Sequence, residues 1–417
     1  MNVLVMPIGS HGDVHPFLGI ADAMRRRGHA VKFIASSYYE SLVAKVGLEF
    51  VPLGTPEDFL SLARNPNIMH PVKGFSLIGE AVRQSVPICY RAILEHAAPG
   101  KTVLVYSTLA FGARLAQETL RIPGVSVHLA PAIFPSVYAT PKNMPIPNWT
   151  PRFVKRWSLA ALEKLFIDPI FGSGLNQFRA ELNLPPARHI LTQWCHSPDL
   201  VIGLFPDWFA PPQPDWPKQT VLTGFPLFDE RDVTLISDDL ASFLDNGSPP
   251  IVFTPGSAMM HAQKFFAAGV EACRILGRRG LLLTRHAEQI PANLPPDVLH
   301  AAYAPFSQIL PRCAALVHHG GIGTTAQGLA CGVPQLIMPM SYDQPDNADR
   351  VKRLGVGDYI PPRKFTGRNA ARTLNDLLAS DSVASACRTT AAKVKTGPDA
   401  VEQTARSIEQ IMTASVR

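Results

Sequence analysis

Short apolar runs recur along this chain, each closed by glycine, proline or polar residues and followed by a helical repeat. Residues 2–8, 30–35, 50–53, 102–106, 124–129 and 200–204 form such runs in the first half, and 251–254, 281–284, 298–301, 314–317 and 335–338 in the second. Continuous apolar runs predict strands buried on both faces, as in parallel sheets covered by helices. After the first run, Pro16 suits the opening turn of a helix, and Phe17, Leu18, Ile20, Ala21 and Met24 give that helix an apolar face. Arg25 to Arg27 complement its C-terminal dipole end and Gly28 stops it. From Arg368 the pattern is helical to the end, broken at Gly397-Pro398. The alternation predicts an α/β fold with two similar halves.

The sections between strands suggest how the halves are divided. Residues 65–87 and 130–183 are less regular, and long insertions after strands often build pockets. Pro131, Phe134, Pro135, Tyr138, Met144, Pro147 and Trp149 offer the second insertion an apolar lining. Residues 151–166 are basic and amphipathic. Such a segment can touch a membrane or a greasy substrate, or pack as an ordinary helix on its own domain. Prolines crowd residues 205–228, which marks a stiff linker. The expected division is 1–210, a linker at 211–228, a second domain at 229–395, and a terminal helix at 396–417 packing back on the first domain.

Composition narrows the function classes. Of 417 residues, 46% are hydrophobic and 17% charged, so the chain can bury full cores. A net charge of +6 suits an anionic ligand or a membrane surface, and equally a solvated face. No lysine-rich block or aromatic-basic stripe points to nucleic acid. The six cysteines form no C-x-x-C pair, which argues against a zinc site or disulfide scaffold and for reduced thiols in the cytoplasm. No signal-peptide pattern is visible, and no apolar run approaches the roughly 18 residues of a spanning helix. The expectation is a cytoplasmic protein with at most peripheral contact at the inner face of a membrane.

The chemistry-bearing stretch runs from Leu316 to Gln344. A buried strand leads into His318, His319, Gly320, Gly321, Ile322, Gly323 and Thr324, then a helix stopped at Gly332, then a second strand. Glycines let a backbone approach an anion, and a helix N-terminus offers free N–H groups. Pro255-Gly256-Ser257 is a second strand-to-turn signal. The Gly12-Asp13 turn lies beyond the carboxyl end of the first strand, where open α/β sheets bind ligands. No G-x-G-x-x-G follows that strand, which disfavours a dehydrogenase.

His319-Gly320-Gly321-Ile322-Gly323-Thr324, Asp343-Gln344, Tyr303-Ala304-Pro305-Phe306 and Gly12-Asp13-Val14-His15-Pro16 together resemble the motifs of family-1 glycosyltransferases. That resemblance implies the GT-B fold, two facing Rossmann-like domains with parallel sheets and an interdomain cleft. It implies an inverting, metal-independent transfer from a nucleotide sugar, which is a co-substrate rather than a cofactor. Asp13 falls on the catalytic base, although locally it also reads as a turn or helix-capping aspartate. His319, Gly321, Gly323, Thr324 and Ser257 would hold the diphosphate, Asp343 and Gln344 the sugar, and Tyr303, Phe306 and Gln327 the nucleoside. His11, His15, Phe134 and Tyr138 would meet a hydrophobic acceptor. Gln327 stands where plant relatives carry glutamate on the ribose, a neutral grip that tolerates deoxyribose.

A narrower likeness, in Thr192 to Pro198, Leu204 to Gln213 and Thr223 to Asp229, is to the rhamnosyltransferases of rhamnolipid synthesis. It implies dTDP-L-rhamnose as donor, a β-hydroxy fatty acid dimer as acceptor, and a partner enzyme supplying that lipid. A UDP-glucose enzyme acting on a flavonoid, macrolide or sterol is the alternative. A nucleotide-sugar epimerase or a non-catalytic binding protein represents other classes.

Overall fold

The computed structural model describes residues 1–98, 100–144, 146–230, 234–257 and 259–414. The chain forms two compact units, residues 1–226 with 398–417, and residues 227–397.

The first unit holds seven strands: β1 (Asn2–Met6), β2 (Ala30–Ser36), β3 (Glu49–Leu53), β4 (Thr102–Ser107), β5 (Gly124–His128), β6 (Leu200–Gly203) and β7 (Thr220–Leu222). All pair in parallel, in the order β3-β2-β1-β4-β5-β6-β7. Every residue of β4 and β5 is buried, as apolar runs covered by helices on both faces should be. On one face Leu4, Met6, Leu104 and Tyr106 meet Phe111, Phe171 and Leu175 in a single apolar cluster. The chain leaves β1 towards β2 and later returns to its other side with β4, so the order reverses between β1 and β4. Ligands of open α/β sheets bind at such a switch point.

In the second unit, β8 (Ile251–Thr254), β9 (Gly280–Leu283), β10 (Val298–Ala301), β11 (Ala315–His318), β12 (Gln335–Ile337) and β13 (Gly357–Tyr359) lie in the order β10-β9-β8-β11-β12-β13. These pairs too are parallel. Here the reversal falls between β8 and β11. Pairing sets His318 beside Thr254, so the turns after the two strands emerge together.

Two strands escape the apolar pattern. β7 lies inside the stretch expected to be a linker, and its pairing with β6 makes it an edge strand of the first sheet. Proline is tolerated there because an edge needs fewer ladder donors. β13, Gly-Asp-Tyr, carries no apolar run at all. After Gly397 the chain returns to the first unit as the helix Ala400–Ala414. Ala405, Ile408 and Met412 are buried, Thr404 and Thr223 share a hydroxyl hydrogen bond of 2.9 Å, and Glu409 meets Arg27 and His29. Among the described residues, no helix is long and apolar enough to cross a membrane. All six cysteines are free.

Candidate active site

In the first unit the site begins at the end of β1. Ser10 is the N-cap of the helix His11–Arg26, and Asp13 occupies its third position. The Ser10 N–H donates to Asp13 Oδ2 at 2.7 Å, and the Ser10 hydroxyl donates to the same oxygen at 3.0 Å. This is half of a capping box, so the helix-capping role of Asp13 is real. Burial pushes its carboxyl above the ordinary value of 3.8, while the bonds from Ser10 pull it back down. Gly9 makes the arrangement possible: its φ is +140°, and a Cβ there would sit 2.3 Å from Asp13 Oδ2. The Tyr39 hydroxyl donates to the Gly9 carbonyl at 3.0 Å. His11 is buried, with its ring edge-on to Tyr39, Tyr38 and His15 at 5.0, 5.5 and 5.8 Å.

Beside this turn, at the end of β4, Ser107 Oγ accepts the Ile8 N–H at 2.9 Å. Thr108 Oγ1 lies 2.8 Å from His128 Nδ1, and His128 Nε2 lies 2.9 Å from His196 Nδ1. Both imidazoles are buried, and burial holds both well below the usual histidine range, His196 at about 4. The pair was not singled out from the sequence: its members lie 68 positions apart. Phe134 is not available to an acceptor. Its ring is 2% exposed and stacks on His196 at 5.4 Å and on Trp216 at 4.8 Å, which makes it core. Tyr138 is exposed, with the Arg152 guanidinium 4.4 Å from its ring centroid.

In the second unit, β11 runs into His319-Gly320-Gly321, and Gly321 is the N-cap of the helix Ile322–Cys331. The first helical bond is the Thr325 N–H to the Gly321 carbonyl, so the amides of Ile322, Gly323 and Thr324 point outward from the helix start. Gly323 is exposed, with open space around it. Three glycines shape the turn. Gly320 has φ +94°, and a Cβ on it would lie 2.8 Å from Ile337. Added Cβ atoms on Gly256 and Gly321 would each lie 2.4 Å from the His319 ring. The ring packs against both backbones. Its Nδ1 is buried without a hydrogen-bond partner, and burial lowers its pKa to about 4, so the imidazole is neutral near pH 7.

His318 is structural: Nδ1 accepts the Gly320 N–H at 3.1 Å and Nε2 pairs with Gln335 Oε1 at 3.0 Å. Asp343 precedes the helix Gln344–Arg353, and its Oδ2 accepts from Asn347 Nδ2 at 2.7 Å. The same Asn347 amide donates to the Gly320 carbonyl at 2.9 Å. Asn347, which the sequence reading did not single out, thereby ties the glycine turn to Asp343. Gln344 is buried, and its Oε1 accepts from the Met340 and Ser341 amides at 2.8 and 3.2 Å. Ser257 lies exposed in the turn after β8, beside the His319 turn. Tyr303 donates its hydroxyl to the Asp229 carbonyl at 2.9 Å, with Arg285 4.9 Å from its ring. Phe306 opens the short helix Phe306–Ile309, where Asp229 Oδ2 accepts the Ser307 N–H at 2.7 Å. Gln327 is buried in the helix after the glycine turn.

The first unit thus presents a carboxylate, and the second a set of helix-start amide donors beside a neutral imidazole. Both lie at sheet switch points. Residues 3–139 match the glycosyltransferase family 28 N-terminal domain, and residues 281–410 the erythromycin biosynthesis protein CIII-like C-terminal domain. O-mycaminosyltylonolide 6-deoxyallosyltransferase of Streptomyces fradiae is 30% identical over 393 residues, covering 89% of this chain and 88% of that one. Vancomycin aglycone glucosyltransferase of Amycolatopsis orientalis is 30% identical over 373 residues, covering 86% and 85%. Among solved structures, the kitacinnamycin glycosyltransferase aligns with a TM-score of 0.75 at 20% identity over 100% of this chain and 99% of that one. The spinosyn rhamnosyltransferase complexed with thymidine diphosphate aligns with a TM-score of 0.70 at 15% identity over 98% and 100%. The chain therefore belongs to the GT-B glycosyltransferases that join a family 28 N-terminal domain to an erythromycin CIII-like C-terminal domain.

Proposed function

We propose that this glycosyltransferase moves a sugar from a nucleoside diphosphate sugar to a hydroxyl of a hydrophobic small molecule, with inversion at the anomeric carbon. The observation that carries the donor half is the turn at 319–324, where the amides of the helix start point outward beside the His319 ring. In the reaction the acceptor oxygen bonds to the anomeric carbon as the bond from that carbon to the diphosphate breaks. The hydroxyl proton passes to Asp13, whose Oδ2 is engaged by Ser10, leaving Oδ1 for the substrate. The negative charge moves onto the diphosphate, where fixed donors stabilise it. A carboxylate cannot ionise an alcohol beforehand, but it can take the proton as the new bond forms. Asp343, Asn347 and Gln344 form the wall next to the glycine turn, a fitting place for sugar hydroxyls.

dTDP-L-rhamnose is the proposed donor. Gln327 is a neutral residue in the donor helix, and a structural neighbour carries thymidine diphosphate. UDP-glucose is the second reading, favoured by the glucosyltransferase among the relatives. Macrolide and glycopeptide relatives support a natural-product aglycone as acceptor, and a β-hydroxy fatty acid dimer is the lipid candidate. The test is to incubate the purified chain with dTDP-L-rhamnose or UDP-glucose and a panel of such acceptors, then weigh the products. Rhamnosylated product supports the first reading, glucosylated product alone replaces it with the second, and turnover of a nucleotide sugar without acceptor points to an epimerase.

A further inference from the structure

Residues 149–167 of the first unit do not behave as a core helix. In the helix Arg152–Leu162, Phe153 and Trp157 are one turn apart and so share a face, yet they are 68% and 77% exposed. Trp149, just before the helix, is 84% exposed. Lys155, on the other side, is buried. A wide π-helical turn, Glu163–Ile167, follows. It carries Glu163 inward, where the carboxylate accepts the Leu191 and Thr192 amides at 3.2 and 3.3 Å. Leu165 and Phe166 are left outward, 64% and 58% exposed. Large apolar side chains are thus on the outside and the one carboxylate of residues 138–167 is inside. Around the apolar stripe stand exposed Lys142, Arg152, Arg156 and Lys164.

We infer that this stripe docks the enzyme on a bilayer surface bearing anionic lipid headgroups. Tryptophan and phenylalanine suit the boundary between headgroups and acyl chains, and a short helix lying in that plane buries one face only. The exposed charge of residues 138–167 has a single sign, which matches an anionic leaflet, each cation adding roughly fivefold to partitioning. A two-fold contact with a second copy would set Arg152, Arg156 and Lys164 against themselves, which the charge pattern opposes. The inference is independent of which sugar or acceptor is used. It does place the enzyme where hydrophobic alcohols concentrate.

The experiment is sedimentation of the full chain with phosphatidylcholine vesicles, with and without phosphatidylglycerol as a minor component, at low and high salt. The chain should bind the mixed vesicles, lose most of that binding at high salt, and bind pure phosphatidylcholine weakly. The variant W149S/F153S/W157S should bind roughly tenfold or more weakly, and R152Q/R156Q/K164Q should lose the dependence on salt and phosphatidylglycerol. Both should melt at the parent temperature, because the altered side chains face solvent. A parent chain that ignores both vesicle types overturns the proposal. So does binding unchanged in both variants, or a concentration-dependent dimer abolished by the serine variant without vesicle binding.

Discussion

Asp13 caps the first helix through Oδ2, and the proposed role of base falls to Oδ1, so the two roles are compatible. Asp13→Asn keeps an acceptor for the Ser10 amide but removes the proton sink. It should lower kcat by roughly 10²–10⁴-fold, and initial rates on the best donor and acceptor within a few-fold of the parent would remove Asp13 from the mechanism. The base must be ionised, so the rate falls as pH falls through its raised pKa. Ser10 pulls that pKa down. Ser10→Ala should therefore move the acid limb of kcat/KM to higher pH, and an unmoved limb would break the link between Asp13 and that limb. At the donor turn, Gly321→Ala sets a Cβ 2.4 Å from the His319 ring. Its cost should appear as roughly tenfold weaker binding of nucleoside diphosphate by calorimetry, a loss of about 1.4 kcal/mol. The base motif and the glycine turn were legible because each needs particular residue types in unbroken order. Asn347 and the His128–His196 pair were not, since their partners come from other elements.

At the scale of elements, both sheets carry histidines held neutral by burial. His128 ends β5 in the first, with His196 packed against it from the loop before β6, and His318, at about 3, ends β11 in the second, with His319 at the turn beyond it. In the unfolded chain each returns to an ordinary value near 6.5. The unfolded state then binds more protons, so the stability these sites contribute is complete above about pH 6.5 and declines as pH falls towards 4. Calorimetric melting temperatures across that window should drop for the free enzyme, and His196→Gln should drop less steeply than the parent. Equal slopes would show that His196 titrates normally in the fold. Eleven of the thirteen strands were legible as apolar runs, and central ones such as β4 and β5, buried on both faces, have to be apolar throughout. β7 and β13 were not: each is an edge strand of only three residues, whereas the edges β3 and β10 are longer apolar runs.

For the whole molecule, the C-terminal helix returns to the first unit and adds to its core. Ala405, Ile408 and Met412 are buried there. Ile408→Ala alone should cost about 2–5 kcal/mol, read from denaturant unfolding. Removing residues 398–417 should raise hydrogen exchange across β1, β2 and the helix His11–Arg26 while β8 to β12 stay protected. Uniform loss would mean that the two units unfold as one. The sequence by itself determined the α/β class, most strands, and the motifs that read as an anion site and a base, because periodicity and local backbone chemistry are written in consecutive residues. Only the tertiary structure decided which side those residues face. It made Phe134 core and turned Trp149, Phe153 and Trp157 to solvent, although all are aromatic residues in one insertion. Burial is a property of what packs against a side chain, and those partners, such as Trp216 and His196 around Phe134, lie far along the chain.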